Sequence, residues 1–166
     1  EFSVEAGRPD TITQEKLIAM NTNNVTRISI NPQTMNASTL KAIGRNHTPE
    51  AIIDKFNMAR DLGFNNINMD IIAGLPNEDN EMFKYTLEEI GKMAPDSLTV
   101  HTMAIKRASI LHENIDSYNF TSDKTVEVMI EDARQSAKNM DMRPYYLYRQ
   151  KNILANLENT GYAKVG

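Results

Sequence analysis

Polar side chains that could bind a polar ligand lie at or just past the carboxyl ends of several predicted strands. These residues are Glu5, Gln33, Asp70 and His101. In parallel α/β folds, the binding groups lie at the carboxyl ends of the strands. One such residue is weak support, because the turns after strands favour polar residues in any case. Taken together, they predict one rim that is lined with hydrogen-bond acceptors and amides.

The stretch from Asn66 to Pro76 begins as a strand with two different faces and ends in a Gly-Leu-Pro turn. The polar face consists of Asn66, Asn68 and Asp70, and the apolar face consists of Ile67, Met69 and Ile71. A strand that is buried between helices on both sides should be apolar on both faces. Two amides and a carboxylate on one side therefore predict that this face meets a polar partner.

Several common site chemistries leave no signature in this sequence. It contains no Gly-x-Gly-x-x-Gly motif and no Walker loop for binding phosphate. The spacing of His47, His101 and His112 is not that of metal ligands, and is more typical of residues that cap, pack or lie in solvent. Cysteine is absent, so the chain offers no disulfide, thiolate nucleophile or thiolate metal site. We single out no catalytic residue and no metal ligand.

Predicted strands and helices alternate along the chain, which implies parallel strands joined by right-handed crossovers. The predicted strands cover about 2–6, 25–31, 66–72, 97–103 and 143–148, the predicted helices about 13–20, 37–43, 48–63, 79–93, 122–140 and 150–159, and a loop about 105–121. An open doubly wound sheet and a barrel both fit this order. Each early strand has a polar side, which favours a splayed barrel with a ligand in its lumen. We predict an α/β fold, with residues 1–166 as a single domain forming a partial parallel (β/α) barrel.

Two segments have two interpretations each. The Gly74-Leu75-Pro76 turn is either a tight exit from a strand, or a place where glycine lets the backbone approach a flat ligand. The aromatic run Tyr145 to Gln150 is typical of a core or edge strand. It could also form a wall for a large planar substrate, with an arginine for the carboxylates.

Composition and charge limit the classes of partner. Hydrophobic residues make up 40% of the chain and charged residues 24%, with a formal net charge of −4, which gives no support for a basic nucleic-acid-binding patch. No apolar run approaches a membrane span and no signal-peptide pattern is present, so we expect a cytoplasmic protein. The chain starts without Met inside a strand-like run, so we expect a piece of a longer protein, whose exposed first strand could self-associate.

An ordered set of motifs resembles the radical SAM family of oxygen-independent coproporphyrinogen III oxidases (dehydrogenases). The motifs are Phe2-Ser-Val-Glu-Ala-Gly-Arg-Pro9, Arg27-Ile-Ser-Ile-Asn-Pro-Gln33, Gly44-Arg-Asn-His47 and Asn68-Met-Asp-Ile-Ile-Ala-Gly-Leu-Pro76. Two further variants, Asn31-Pro-Gln-Thr-Met35 and Tyr145-Tyr-Leu-Tyr-Arg-Gln-Lys-Asn152, are most similar to the branch found in Clostridium- and Bacillus-type bacteria. The resemblance spans nearly the whole chain.

This resemblance implies that residues 1–166 are the C-terminal part of a partial (β/α) barrel, and that the parent protein binds S-adenosylmethionine and a four-iron four-sulfur cluster held by three cysteines. It also implies that the parent protein oxidatively decarboxylates two propionates of coproporphyrinogen III to vinyl groups in heme biosynthesis. The positions that match S-adenosylmethionine contacts of the family are Glu5, Gln33, Arg45, Asp70 and Ala104. Carboxylates can pair with the ammonium group or accept from ribose, and an arginine can hold a carboxylate.

The chain departs from the family by lacking the three-cysteine motif and the glycine-rich stretch that follows the second barrel strand. Without cysteine it cannot hold the cluster, so we expect this piece to be inactive alone. Two other functions stay open: a heme chaperone related to this family, and an unrelated α/β binding domain whose polar rim is accidental.

Overall fold

The computed structural model describes residues 1–103, 121–148 and 158–165. Its strands are β1 (Ser3–Gly7), β2 (Arg27–Gln33), β3 (Ile67–Ala73), β4 (Ser97–Thr102), β5 (Met142–Tyr148) and β6 (Asn159–Lys164). Its α-helices are α1 (Gln14–Thr22), α2 (Ala37–Ala42), α3 (Pro49–Asp61), α4 (Asn80–Met93) and α5 (Asp123–Asn139), and a short 3-10 helix covers Pro9–Thr11. Each predicted strand range therefore contains a strand.

The strands form one six-stranded sheet in the order β1-β2-β3-β4-β6-β5. The pairs β1–β2, β2–β3 and β3–β4 are parallel, which confirms the α/β prediction for this part of the chain. The pairs β4–β6 and β5–β6 are antiparallel, so the prediction of parallel strands throughout is wrong for the last two. Among the described helices, none is long and apolar enough to cross a bilayer.

The strand β6 has no counterpart among the predicted elements. The sequence predicts a helix over 150–159, of which 150–157 lies outside the described residues, but Asn159 begins β6. The sequence of β6 is Asn-Thr-Gly-Tyr-Ala-Lys, and glycine inside a strand, such as Gly161, normally weakens the strand. A Cβ atom added at Gly161 would lie 3.0 Å from the Tyr145 ring of β5, so the neighbouring aromatic ring fills the space of a side chain.

Four of the five described α-helices begin where the sequence predicts them with a capping side chain, whereas the N-cap residue Asn36 of α2 makes no side-chain cap hydrogen bond. Thr13, Thr48, Asp79 and Ser122 accept hydrogen bonds from backbone N–H groups in the first turns of α1, α3, α4 and α5. The strand β2 continues through Asn31-Pro32-Gln33, beyond its predicted end at 31. Its register shifts between Ile30 and Gln33, an irregularity that accommodates a proline within the sheet.

The outward face of the parallel strands forms the core. Ile28, Ile67 and Met69 are fully buried there, together with Phe56 of α3 and Phe83 of α4. Burial of each such side chain contributes about 1.5–3 kcal/mol. Since side chains alternate along a strand, the same backbone that buries this apolar set turns its polar set to the opposite face of the sheet.

Candidate functional site

A cleft of about 340 Å³ lies on that opposite, polar face of the sheet. Its polar lining comes from four parallel strands and consists of Ser3, Glu5, Arg27, Ser29, Asn68, Asp70, Thr99 and His101. Tyr145 and Tyr146 of β5 also line the cleft. The polar faces of these four strands therefore meet as predicted, and they line one shared cleft.

A continuous chain of hydrogen bonds joins the two carboxylates of the cleft. Asn31 donates to the Glu5 Oε2 atom at 2.8 Å and accepts from the Ser29 hydroxyl at 3.1 Å. Asn68 donates to the Ser29 hydroxyl at 2.8 Å and to the Asp70 Oδ1 atom at 2.6 Å. Side chains from β1, β2 and β3 thus fix both acids before any ligand binds.

Asp70 lies at the centre of this arrangement and is only 8% exposed. Burial raises the pKa of Asp70, whereas the charge of His101 and the hydrogen bond from Asn68 act in the opposite direction. The charge of Glu5 raises the pKa further. A cationic ligand would favour ionised Asp70, since an opposite charge nearby stabilises the carboxylate. The cleft is thus suited to a ligand that brings positive charge.

The predicted cofactor-binding residues are distributed unevenly around this cleft. Glu5 and Asp70 line it together. Gln33 is buried, has a left-handed backbone with φ of 70°, and is not among the cleft-lining residues. Arg45 is half-buried in the segment after α2 and also lies outside the lining. Ala104 falls outside the described residues.

Arg27 is a cleft residue that the sequence did not single out. Its Nη2 atom donates to the Tyr145 hydroxyl oxygen at 2.8 Å and to the Ser97 hydroxyl oxygen at 3.1 Å. Its guanidinium carbon lies 5.6 Å from the centre of the Tyr145 ring, a cation–π contact. The alternation of side chains along β2 predicts that Arg27 and Ser29 lie on the same face. It does not predict the contact of Arg27 with β5.

The aromatic run fits both of its interpretations. Its described part, Tyr145 to Tyr148, belongs to β5, which pairs with β6 on one side and lies at the edge of the sheet. Tyr145 and Tyr146 nevertheless line the cleft, as the wall interpretation requires. Arg149, the arginine of that interpretation, lies outside the described residues.

A buried carboxylate ties together the turns that follow β2 and β3. Glu78 Oε1 accepts from the Thr34 hydroxyl at 2.6 Å and from the Asn36 amide at 3.0 Å. Burial raises the pKa of Glu78, and the hydrogen bonds from Thr34 and Asn36 oppose this rise. The Thr121 hydroxyl donates to the Glu78 carbonyl at 2.8 Å, which links the chain before α5 to the same turn.

The histidines have separate surroundings. His47 is buried, with Nε2 at 3.4 Å from the Pro32 carbonyl oxygen and Nδ1 at 3.7 Å from Asp10. His101 lines the cleft, and His112 lies outside the described residues. Within the part of the chain that the structure describes, no three His, Cys, Asp or Glu side chains come together as a metal site.

Residues 2–90 match the model of the radical SAM superfamily. The whole chain is 53% identical over 166 residues to the oxygen-independent coproporphyrinogen-III oxidase-like protein HemZ of Bacillus subtilis, and covers 33% of that protein. It is 29% identical over 112 residues to the heme chaperone HemW of Bacillus subtilis, a match that covers 68% of this chain and 29% of that protein.

A solved structure of coproporphyrinogen III oxidase (HemN) from Escherichia coli superposes with a TM-score of 0.75 at 20% sequence identity. The match covers 99% of this chain and 35% of that chain. It confirms the predicted fold class, part of the parallel (β/α) barrel type found in that enzyme. The chain spans about a third of the length of these relatives, with 33%, 29% and 35% of them covered.

Proposed function

Because the chain belongs to the radical SAM superfamily, we propose that it is part of an oxygen-independent coproporphyrinogen III oxidase (dehydrogenase) and that its cleft binds S-adenosylmethionine. Proteins of this superfamily use S-adenosylmethionine with a four-iron four-sulfur cluster. One observation carries the proposal: the carboxylates of Glu5 and Asp70 line the same cleft and are joined by hydrogen bonds through side chains of β2 and β3.

The residues of the cleft fit S-adenosylmethionine in charge and in hydrogen-bonding capacity. This molecule carries an ammonium and a sulfonium, which the carboxylates of Glu5 and Asp70 can attract. An ionised Asp70 can also accept a hydrogen bond from a ribose hydroxyl. The same proposal assigns cofactor contacts to Gln33, Arg45 and Ala104, which match family positions.

The cluster does not fit this chain, because the sequence contains no cysteine. We propose that thiolate ligands come from outside this sequence and that the chain alone is inactive. Anaerobic treatment with iron and sulfide, followed by addition of a reductant and S-adenosylmethionine, tests this. We expect no cluster absorption band and no reductive cleavage of S-adenosylmethionine. A cluster band accompanied by cleavage would contradict it.

When bound in the parent protein, the cofactors supply the hydrogen-abstracting chemistry for oxidative decarboxylation of two propionates of coproporphyrinogen III to vinyl groups. The role of this chain is to bind and orient S-adenosylmethionine. Asn68 holds the Asp70 carboxylate from one side of the cleft, and Asn31 holds Glu5. Burial of Asp70 limits the access of water, which strengthens its attraction for a cation. The expectation of a cytoplasmic location remains part of this proposal.

Isothermal titration of the chain with S-adenosylmethionine tests the binding site. S-adenosylhomocysteine, which has a neutral thioether, serves as the matched ligand. We expect tighter binding of S-adenosylmethionine and about a tenfold loss in Asp70→Asn, since one charge-assisted contact disappears. Asp54→Asn, at an exposed position of α3, is the control variant. Equal binding in Asp70→Asn and the wild type would overturn the assignment.

A heme chaperone is the second candidate function. It is favoured by the 29% identity to HemW and by exposed aromatic residues on β5, where the rings of Tyr146 and Tyr148 lie 6.5 Å apart and nearly parallel. Heme titration of the full protein that contains this chain separates the two functions. Tight heme binding without turnover of coproporphyrinogen III supports the chaperone, and turnover without heme binding supports the oxidase.

The proposal includes self-association through β1, which among the described strands pairs with β2 alone and lies at one edge of the sheet. Unpaired backbone groups at an edge can accept a strand from another molecule. Light scattering over a range of concentrations tests this for the isolated chain. A constant monomer mass at high concentration would contradict it.

A further inference from the structure

The cleft holds a guanidinium and a phenol that the cofactor assignment leaves unused. We propose that Arg27 and Tyr145 together bind a carboxylate of the substrate and thereby select carboxylate-bearing ligands. This inference rests on the proposed function, because it takes the same cleft to be where substrate meets cofactor. It adds the recognition group for the second ligand.

The charges of the cleft are separated along the strands. Arg27 is the first residue of β2, whereas Asp70 is midway along β3 and His101 is near the end of β4. Among the described residues that line the cleft, Arg27 is the only lysine or arginine, and Glu5 and Asp70 are the carboxylates. A cationic cofactor and an anionic substrate group can therefore bind at different depths of one cavity.

The geometry of Arg27 prepares it to bind a planar anion. Its side chain is 20% exposed, so it is largely withdrawn from water yet reachable from the cleft. Hydrogen bonds to the Tyr145 and Ser97 hydroxyl oxygens hold one end of the guanidinium. A guanidinium has five N–H donors, and the two on Nη2 are engaged by Tyr145 and Ser97, so the donors on Nε and Nη1 remain for a carboxylate oxygen.

Tyr145 supplies the second donor of the pair. Its hydroxyl oxygen accepts a hydrogen bond from Arg27, and since its O–H has no acceptor among the described residues, it can donate to an incoming oxygen atom. The ring is held over Gly161 of β6, with the ring atoms Cε1 and Cζ 3.0 and 3.1 Å, and the hydroxyl oxygen 3.3 Å, from where a Cβ would be. The hydroxyl is thus positioned by the backbone of two strands before a ligand arrives.

The carboxylate of Glu1 already lies near the Arg27 guanidinium. Its Oε1 atom lies 3.4 Å from the Arg27 Nη1 atom, and its side chain is 54% exposed. An exposed ion pair of this kind contributes little free energy. A ligand carboxylate that also accepts from the Tyr145 hydroxyl can therefore displace Glu1 from the guanidinium.

Fluorescence titration of the chain with coproporphyrin III tests the pair, and the tetramethyl ester of coproporphyrin III serves as the ligand without carboxylates. We expect the free acid to bind about tenfold more tightly than the ester, and Arg27→Gln to remove most of that preference. Arg27→Lys should restore part of it, because the positive charge returns but the guanidinium donors on Nε and Nη1 do not. Arg134→Gln, at an exposed position of α5, should leave both affinities unchanged.

The outcomes distinguish this inference from the proposed function. Loss of acid preference in Arg27→Gln with unchanged S-adenosylmethionine affinity supports the inference. Equal binding of acid and ester by the wild type, or an unchanged preference in Arg27→Gln, overturns it even if S-adenosylmethionine binds. Failure of the wild type to bind S-adenosylmethionine overturns the proposed function, whatever the porphyrin result.

Tyr145→Phe keeps the test decisive if Arg27→Gln does not fold, as judged by circular dichroism. This variant retains the ring over Gly161 and removes only the hydroxyl. We expect a severalfold weaker affinity for the free acid and an unchanged affinity for the ester. Equal losses for both ligands would show that the ring, and not the O–H donor, matters, and would overturn the role given to the hydroxyl.

Discussion

Asn68 donates a 2.6 Å hydrogen bond to Asp70, the residue two positions further along β3. The two side chains share one face because alternate residues of a strand point the same way. Asn68 is itself held on both sides, since it donates to Ser29 of β2 and accepts from the Thr99 hydroxyl of β4. Three strands therefore set the position of one buried carboxylate.

Asn68→Ala should release Asp70 from this arrangement. The substitution leaves a buried carboxylate without its main donor, which we expect to cost about 1–3 kcal/mol of unfolding free energy. It should also raise the pKa of Asp70 further, because the hydrogen bond from Asn68 lowers it. Urea unfolding and a carbon-detected NMR titration measure the two effects. Asn57→Ala, at an exposed position of α3, is the control, and equal behaviour of the two variants would contradict this prediction.

Binding of S-adenosylmethionine should depend on pH through Asp70. Burial raises the pKa of this carboxyl above its ordinary value of 3.8. The carboxylate attracts a cation only when ionised, so the affinity should rise with pH through the raised pKa. Titrations at a series of pH values measure this. The rise should disappear in Asp70→Asn, and an equally steep rise in that variant would assign the titration to another group.

Glu78 should make the stability of the fold depend on pH in the opposite sense to an ion-paired acid. Burial raises the folded-state pKa of Glu78 above its ordinary value of 4.5, and the charge of Asp79 adds to the rise. The stabilisation by this group is therefore complete below 4.5 and is lost as the pH rises through the raised pKa. Glu78→Gln does not titrate, so its stability relative to the wild type should increase with pH.

Urea unfolding of both proteins across this pH range provides the measurement. Glu78→Ala should lower the unfolding free energy by about 1–3 kcal/mol, because Thr34 and Asn36 each lose one hydrogen-bond acceptor. Glu88→Gln, at an exposed position of α4, is the matched control. A constant difference between Glu78→Gln and the wild type at every pH would exclude Glu78 as the titrating group.

Gly161→Ala should displace Tyr145. The new methyl group would lie 3.0 Å from the ring Cε1 atom, closer than ordinary contact allows. We expect a loss of about 1–3 kcal/mol in unfolding free energy, together with a weakened contact between Tyr145 and Arg27. Gly91→Ala in α4 is the control, because among the described residues nothing beyond its chain neighbours and its own helix backbone lies within 4 Å of the added Cβ, and alanine favours a helix. Equal thermal stability of the two variants would contradict the crowding argument.

Much of this protein is determined by local sequence. The alternation of β3 separates Asn68 and Asp70 from Ile67 and Met69, and the fold keeps these two sets on opposite faces. Capping residues such as Thr48 predict the helix starts, because a cap satisfies backbone groups only a few residues away. The absence of cysteine likewise excludes thiolate ligands without any structure.

Other features depend on contacts between distant parts of the chain. Arg27 and Tyr145 are separated by 118 positions in the sequence, and no local pattern relates them. The strand β6 inserts between β4 and β5, and the space beside Gly161 has meaning only because Tyr145 fills it. Strand order and cross-cleft contacts arise from pairing energies between remote segments, whereas periodicity and capping act within a few residues. Only the tertiary structure could therefore bring Arg27 into a cleft whose acids the sequence had already indicated.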